Sequence, residues 1–278
     1  MNVQLDKATS TNTQILRIGS VSYLNAKPLI HGLESQKDLS LILDVPSKLL
    51  PGLRERRFDI ALLPVIDYQR LDNLKIVPSG GIGCDGPTLN VRIFSRVPIE
   101  RIKTLACDTD SHTSVALARI VLAEEFGIHP RLIDLLKTDD THGRPVEARL
   151  LIGDKVVCEE PPGFEHQLDL GSAWKHLTGL PFVFATWMAR DGIDLGDLPQ
   201  RLERAKLDGL ANVRQIVTEY AVPRGWPAGI AHQYLTSYLK FDITPLHLQA
   251  IEKFHHLAHE HQIIERPPRP LQLYSRIS

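Results

Sequence analysis

The stretch that most constrains the fold is residues 15–31, ILRIGSVSYLNAKPLIH, where an apolar strand runs into a short polar turn and out towards a helix. Ile15, Leu16, Ile18 and Val21 read as a buried strand, and Gly19 and Ser20 are small enough to admit another backbone or a ligand. Ser22, Tyr23 and Asn25 then place two hydroxyls and an amide close together, with Pro28 where a helix enters its first turn. SLILDV (40–45), closed by Pro46, supplies a second strand, and a helical stretch, KLLPGLRERRFD, leads to a third, DIALLPV (59–65). Strand, helix, strand, helix, strand begins a parallel sheet with helices on its faces, so the expected fold class is α/β. Ligands of such sheets sit outside the carboxyl ends of the strands, against the N-termini of the following helices. Residues 22–27 fall there. The competing reading is an ordinary turn whose Ser and Asn only cap the helix.

GIGCDG (81–86) satisfies the spacing of a dinucleotide fingerprint, but that motif requires its glycines to open a helix. Here Pro87 follows at once and TLNVRIFSR (88–96) alternates like a strand. The glycines are therefore read as a flexible connection near the pocket, with Asn90 pointing into it from the strand. From residue 97 the pattern restarts. A strand ends near Asp108, and TDSHTS precedes the helix VALARIVLAEEFG. Ser111, Thr113 and Ser114 cluster at that helix N-terminus, where unpaired N–H groups and the helix dipole favour an anion; a doubly capped helix without a ligand would look the same. ARLLIGDKVVCE (148–159) reads as a strand with Gly153 and Asp154 in its middle, and Asp154 is expected to cap, to pair with a cation or to face the cleft. PFVFATWMAR (181–190) reads as a long returning strand, and the remainder as helical scaffold.

At 278 residues the chain is long enough for two lobes or one large domain. A net charge of −1 with scattered Lys and Arg leaves no basic footprint for nucleic acid. No apolar run approaches the roughly 18–20 residues of a membrane span, and the polar stretch MNVQLDKATSTNTQ does not resemble a signal peptide, so a cytoplasmic protein is expected. Cys84, Cys107 and Cys158 fit neither a disulfide framework nor a zinc site. His255 and His259 share a helix face, but HHLAHEH matches no metalloenzyme motif, so a solvated face is expected and no metal.

Several of these stretches together, SVSYLNAKPL, DIALLPV, GIGCDGPTLNVRIFSR, DSHTSVALARI, LLIGDKVV, DLGSAWKHLTGLPFVFATW and YLTSYLKFDIT, resemble the chorismate dehydratases that open the futalosine route to menaquinone, in the same order over roughly residues 15–275. The resemblance implies a two-lobed type II periplasmic-binding-protein-like fold with the ligand cleft between the lobes. The expected division is 15–96 for the first part of lobe one, 97–186 for lobe two, and 187–278 for the return to lobe one. It also implies a chemistry without cofactor: water is lost across C3–C4 of chorismate, a small-molecule substrate. Asn25 becomes the expected catalytic residue. Ser22, Tyr23, Asn90, Ser111, Thr113, Ser114 and Asp154 are the expected substrate-binding residues, with a carboxylate at residues 111–114. The substrate's own enolpyruvyl carboxylate is the preferred proton acceptor, with His112 and Asp154 as alternatives. Asn90 stands where the family pattern often has Ser, and Lys155 where a small residue is more usual. The sister enzyme that makes 1,4-dihydroxy-6-naphthoate and a non-catalytic small-anion binding protein remain compatible with the same fold. The oligomeric state is open.

Overall fold

The structure, a computed structural model, describes residues 15–107, 111–135, 146–153, 156–157 and 161–275. The first sheet is built from β1 (Leu16–Val21), β2 (Leu39–Asp44), β3 (Ile60–Pro64), β4 (Leu74–Cys84), β10 (Phe182–Arg190) and β11 (Leu239–Lys240), in the order β11-β4-β10-β3-β1-β2. The second uses β5 (Val91–Ser95), β6 (Thr104–Cys107), β7 (Arg131–Asp134), β8 (Ala148–Ile152) and β9 (His166–Asp169), in the order β7-β6-β8-β5-β9. As expected for an α/β chain, β1 pairs in parallel with both β2 and β3. The sheet order reverses at β1, and the carboxyl ends of β1 and β3 open a crevice there. Asp59, just before β3, is buried and accepts from the Arg17 backbone N–H at 2.8 Å and from its guanidinium, which fixes this pair of strands.

Sheet membership corrects the expected boundaries. β5 belongs to the second sheet and the whole of β10 to the first, so the chain crosses between sheets within residues 85–90 and 170–181, rather than at 96/97 and 186/187. The glycines at 80, 81 and 83 lie within β4 rather than in a loose connection. A Cβ on Gly81 would stand 2.6 Å from the Ala185 carbonyl oxygen, and one on Gly83 2.7 Å from that of Phe182, so they let β10 approach β4 closely. The 88–96 strand begins only at Val91, because Leu89 takes a positive φ of 69°. The strand at 148 stops at Ile152, where Gly153 turns at φ 73°; Asp154 and Lys155 lie outside the described residues.

The helices that matter for the site are α1 (Pro46–Arg54), α2 (His112–Phe126), α3 (Leu170–Thr178), α4 (Leu198–Ala211) and α5 (Pro245–Glu260). Trp174 of α3, Phe182 of β10 and Phe254 of α5 meet edge to face, with centroids 5.2 Å apart for Trp174–Phe182 and 5.1 Å for Phe182–Phe254, and knit the crossing to the C-terminal helix. Cys84 and Cys107 are buried, and burial pushes the Cys84 thiol up to about 12. Among the described residues no helix is long and apolar enough to cross a membrane.

The face of α5 carrying His255 is not solvated as expected. His255 is fully buried, stacked near Tyr68, and its Nε2 donates to the Val65 carbonyl oxygen at 2.8 Å, while Nδ1 lies 2.9 Å from the Gln69 amide nitrogen. Desolvation lowers its pKa from 6.5 to about 4, against the raising effect of the Val65 hydrogen bond. The unfolded chain therefore binds this proton near pH 6.5 and the folded chain only near pH 4. The stability held by the neutral ring is complete above pH 6.5 and lost as pH falls towards 4, about 3 kcal/mol in all. Urea unfolding across that window is expected to show a shallower acid decline in His255→Gln than in the parent. Equal slopes would show that the histidine does not titrate as described.

Candidate active site

β1 ends at Val21, and Tyr23, extended at φ −70° and ψ 157°, hands the chain to a 3-10 helix spanning Leu24–Ile30. Asn25 sits in its first turn and Pro28 near its end, where a missing N–H is tolerated. Two contacts hold this turn from behind. α4 crosses it at Gly209, where a Cβ would stand 2.3 Å from the Pro28 carbonyl oxygen and 2.6 Å from its Cα, so only glycine allows the approach. Lys27 is buried over the Tyr220 ring at 4.2 Å, and desolvation followed by the Arg224 charge lowers its pKa.

Opposite the turn stands the N-terminus of α2. Ser111 is its N-cap: its Oγ accepts from the Ser114 N–H at 3.4 Å and donates to Ser114 Oγ at 2.8 Å. The third wall comes from the crossing segment. Asp169, the N-cap of α3, accepts from the N–H groups of Gly171 and Ser172 and also from Thr88 N, Thr88 Oγ1 and Leu89 N, all at 3.0–3.1 Å. One carboxylate thus pins the segment that delivers Asn90. Asn90 Nδ2 donates to the Tyr234 hydroxyl at 2.7 Å, and Tyr234 opens a π-helical turn, Tyr234–Tyr238.

These walls enclose a cavity of about 660 Å³, counting the space at its mouth. Tyr23, Asn25, Asn90, Ser111 and Ser114 all line it, with Tyr234, between apolar surfaces that include Leu62, Ile152 and Phe184. Among the described residues its lining carries no charged side chain. Asn25 Oδ1 is buried and has no hydrogen-bond partner among the described residues.

Two expected residues fall elsewhere, and a third is not among the described residues. Ser22 is exposed and absent from the lining. Thr113 is buried against the first sheet's side of the cleft, where its Oγ1 accepts the Ile66 N–H at 3.4 Å, so it joins the lobes instead of facing the cavity. Asp154 lies outside the described residues. His112, an alternative proton acceptor, is absent from the lining; its Nδ1 lies 3.1 Å from Asp67 Oδ1. Sequence reasoning missed Tyr234 and Asp169. Asp169 was open to discovery, since Asp before LGSAW is an N-cap signal; Tyr234 stands in an apolar helical pattern that marks scaffold.

The curated relatives and the solved structures agree with this architecture. Chorismate dehydratase from Thermus thermophilus is 27% identical over an alignment covering 80% of this chain and 87% of the relative. Chorismate dehydratase from Campylobacter jejuni is 31% identical over 59% of this chain and 58% of its own. The periplasmic aliphatic sulphonate binding protein SsuA from Escherichia coli superposes with a TM-score of 0.63 at 14% identity, covering 95% of each chain, which makes the fold that of the periplasmic binding proteins. The family model described as menaquinone biosynthesis matches residues 16–260, across both sheets and every wall of the cavity, and the chain belongs to that family.

Proposed function

We propose that this protein is a chorismate dehydratase, a hydro-lyase that removes water from chorismate to give 3-[(1-carboxyvinyl)oxy]benzoate for menaquinone biosynthesis. Family membership and two relatives of that name support the reaction. The observation that carries it to this cavity is Asn25 Oδ1. A buried acceptor without a partner costs about 1–3 kcal/mol, and it is satisfied by a donor that arrives with a ligand, such as the C4 hydroxyl of chorismate.

Chorismate bears a ring carboxylate on C1 and a second carboxylate on the enolpyruvyl ether at C3. The C3 proton is acidified through the C1–C2 double bond, so its removal builds charge on the ring carboxylate. Ser111, Ser114 and the N-terminus of α2 receive that charge; donors aimed where charge develops each lower a barrier by about 3–4 kcal/mol. Asn25 orients the departing hydroxyl, while Tyr23 and Asn90 flank the ring. With His112 turned to Asp67, the substrate's enolpyruvyl carboxylate is the preferred acceptor of the C3 proton, a positional catalysis in which the protein supplies geometry. The activity so read is that of a cytoplasmic enzyme on a small molecule, without nucleic acid or membrane as partner.

Incubating the purified protein with chorismate, with no cofactor added, is expected to produce benzoate absorbance and a product lighter by one water. Stoichiometric binding without conversion would select a receptor. Turnover of a cyclic futalosine derivative, with chorismate untouched, would select the naphthoate-forming sister enzyme.

A further inference from the structure

The residues that open α2 divide between two duties. At about 3.6 residues per turn, Ser111 and Ser114 fall near one side of the helix and His112 and Thr113 on the other. The serines line the cavity. The other two meet a single 3-10 turn of the first lobe, Val65–Gln69, which follows β3: Thr113 Oγ1 accepts the Ile66 N–H at 3.4 Å, and His112 Nδ1 lies 3.1 Å from Asp67 Oδ1.

Asp67 is completely buried, and its carboxylate is a fixed point. Arg70 Nη1 donates to the same Oδ1 at 3.0 Å from the end of the turn, and Oδ2 has no partner among the described residues. An ionised carboxylate beside a guanidinium can only accept, so His112 Nδ1 is the donor. The turn is tied down from behind as well. The Val65 carbonyl takes His255 Nε2 at 2.8 Å, and the Tyr68 hydroxyl donates to the Pro270 carbonyl at 3.0 Å and accepts the Gln272 N–H at 2.9 Å. Asp67 therefore cannot shift without moving the C-terminal segment.

We propose that Asp67 and His112 are a positioning pair, which sets the place of the α2 N-terminus relative to the Asn25 turn and so aims Ser111 and Ser114 at the ring carboxylate of chorismate. This role rests on the chorismate dehydratase reading. Neither residue lines the cavity, so the pair acts through geometry. The parallel Thr113–Ile66 bond is long for N–H···O, which leaves the contact to the carboxylate as the stronger tie. His112 and Thr113 are interleaved with the two serines in one turn, so a slip of the grip is a slip of the aim. A misplacement of about 1 Å at a reacting centre is enough to cost much of the rate.

The test measures kcat and KM for chorismate, with thermal unfolding alongside. His112→Ala is expected to lower kcat about tenfold, the scale of one hydrogen bond, while KM stays near the parental value and the protein remains folded at the assay temperature. Asp67→Ala is expected to match it, and the double variant to be no slower than the slower single one, as groups acting as a unit behave. His112→Asn, whose amide N–H takes the place of Nδ1–H and which cannot serve as a base, is expected to recover most of the loss. In a Ser114→Ala background the His112→Ala change is expected to cost only about two- to threefold, because the serine it aims is already gone; a purely structural contact would give additive losses. His112→Leu serves where the alanine variant fails to fold. Parental kcat in His112→Ala or His112→Leu, a His112→Asn variant as slow as the alanine one, or an undiminished loss in the Ser114→Ala background would overturn the role. A parent protein that leaves chorismate unchanged removes the proposed function itself. A parent that converts it alongside equally fast His112 variants removes only the role of the pair.

Discussion

Asn25→Ala is expected to lower kcat for chorismate by about a hundred- to a thousandfold, the scale seen when one preorganised polar group is removed from a reacting centre, without lowering thermal stability. The two halves of that expectation share one cause. Asn25 Oδ1 is buried with no partner among the described residues, so the ligand-free protein carries the cost of an unsatisfied acceptor. Truncation removes that acceptor along with its use, and the melting temperature should hold or rise slightly. Steady-state kinetics paired with thermal unfolding checks both halves. An alanine variant that turns over at the parental rate would remove Asn25 from the chemistry, and one that loses activity only because it melts early would make it a structural residue.

Asp169→Ala is expected to produce the largest loss of stability outside the apolar core. Its carboxylate takes five donors, from Gly171, Ser172, Thr88 and Leu89, and its removal takes the acceptor from the backbone N–H groups of the buried Thr88, of Leu89 and of the first turn of α3. A cap alone contributes about 1 kcal/mol, and leaving buried donors unsatisfied adds about 1–3 kcal/mol. For a chain of this size that corresponds to a fall in Tm of about 10 °C, readable by calorimetry. Activity should fall with it, because the same carboxylate holds the segment that carries Asn90. A shift below about 2 °C, less than 1 kcal/mol on that scale, would mean that water replaces the carboxylate at little cost.

What could be read in advance was what short-range chemistry dictates. The strand ending at Val21, the turn bearing Asn25 and the cap at Ser111 are each written in a few adjacent residues, and all border the cavity. What escaped depends on partners far along the chain. Tyr234 meets Asn90 across 144 positions, and Asp169 meets Thr88 across 81. The glycines of β4 looked like a loose connection because β10, which needs their small size, comes about a hundred residues later. Thr113 and Ser114 were indistinguishable as cap residues; the Ile66 N–H from the other lobe takes one, and the cavity receives the other. His255 was assigned to solvent on the strength of its neighbours' polarity, whereas the carbonyl of Val65 and the amide of Gln69 give it a buried place.

The position of β10 also bears on how the molecule is made. It pairs antiparallel with β3 on one side and β4 on the other, although both precede it by more than ninety residues. During synthesis on the ribosome, the N-terminal strands therefore wait, their facing edges unsatisfied, until Arg190 has cleared the exit tunnel and the gap can be filled. Such open edges invite pairing with other nascent chains. The second sheet, whose strands are contiguous between residues 91 and 169, can close meanwhile, so the lobe that begins first in the chain is completed last.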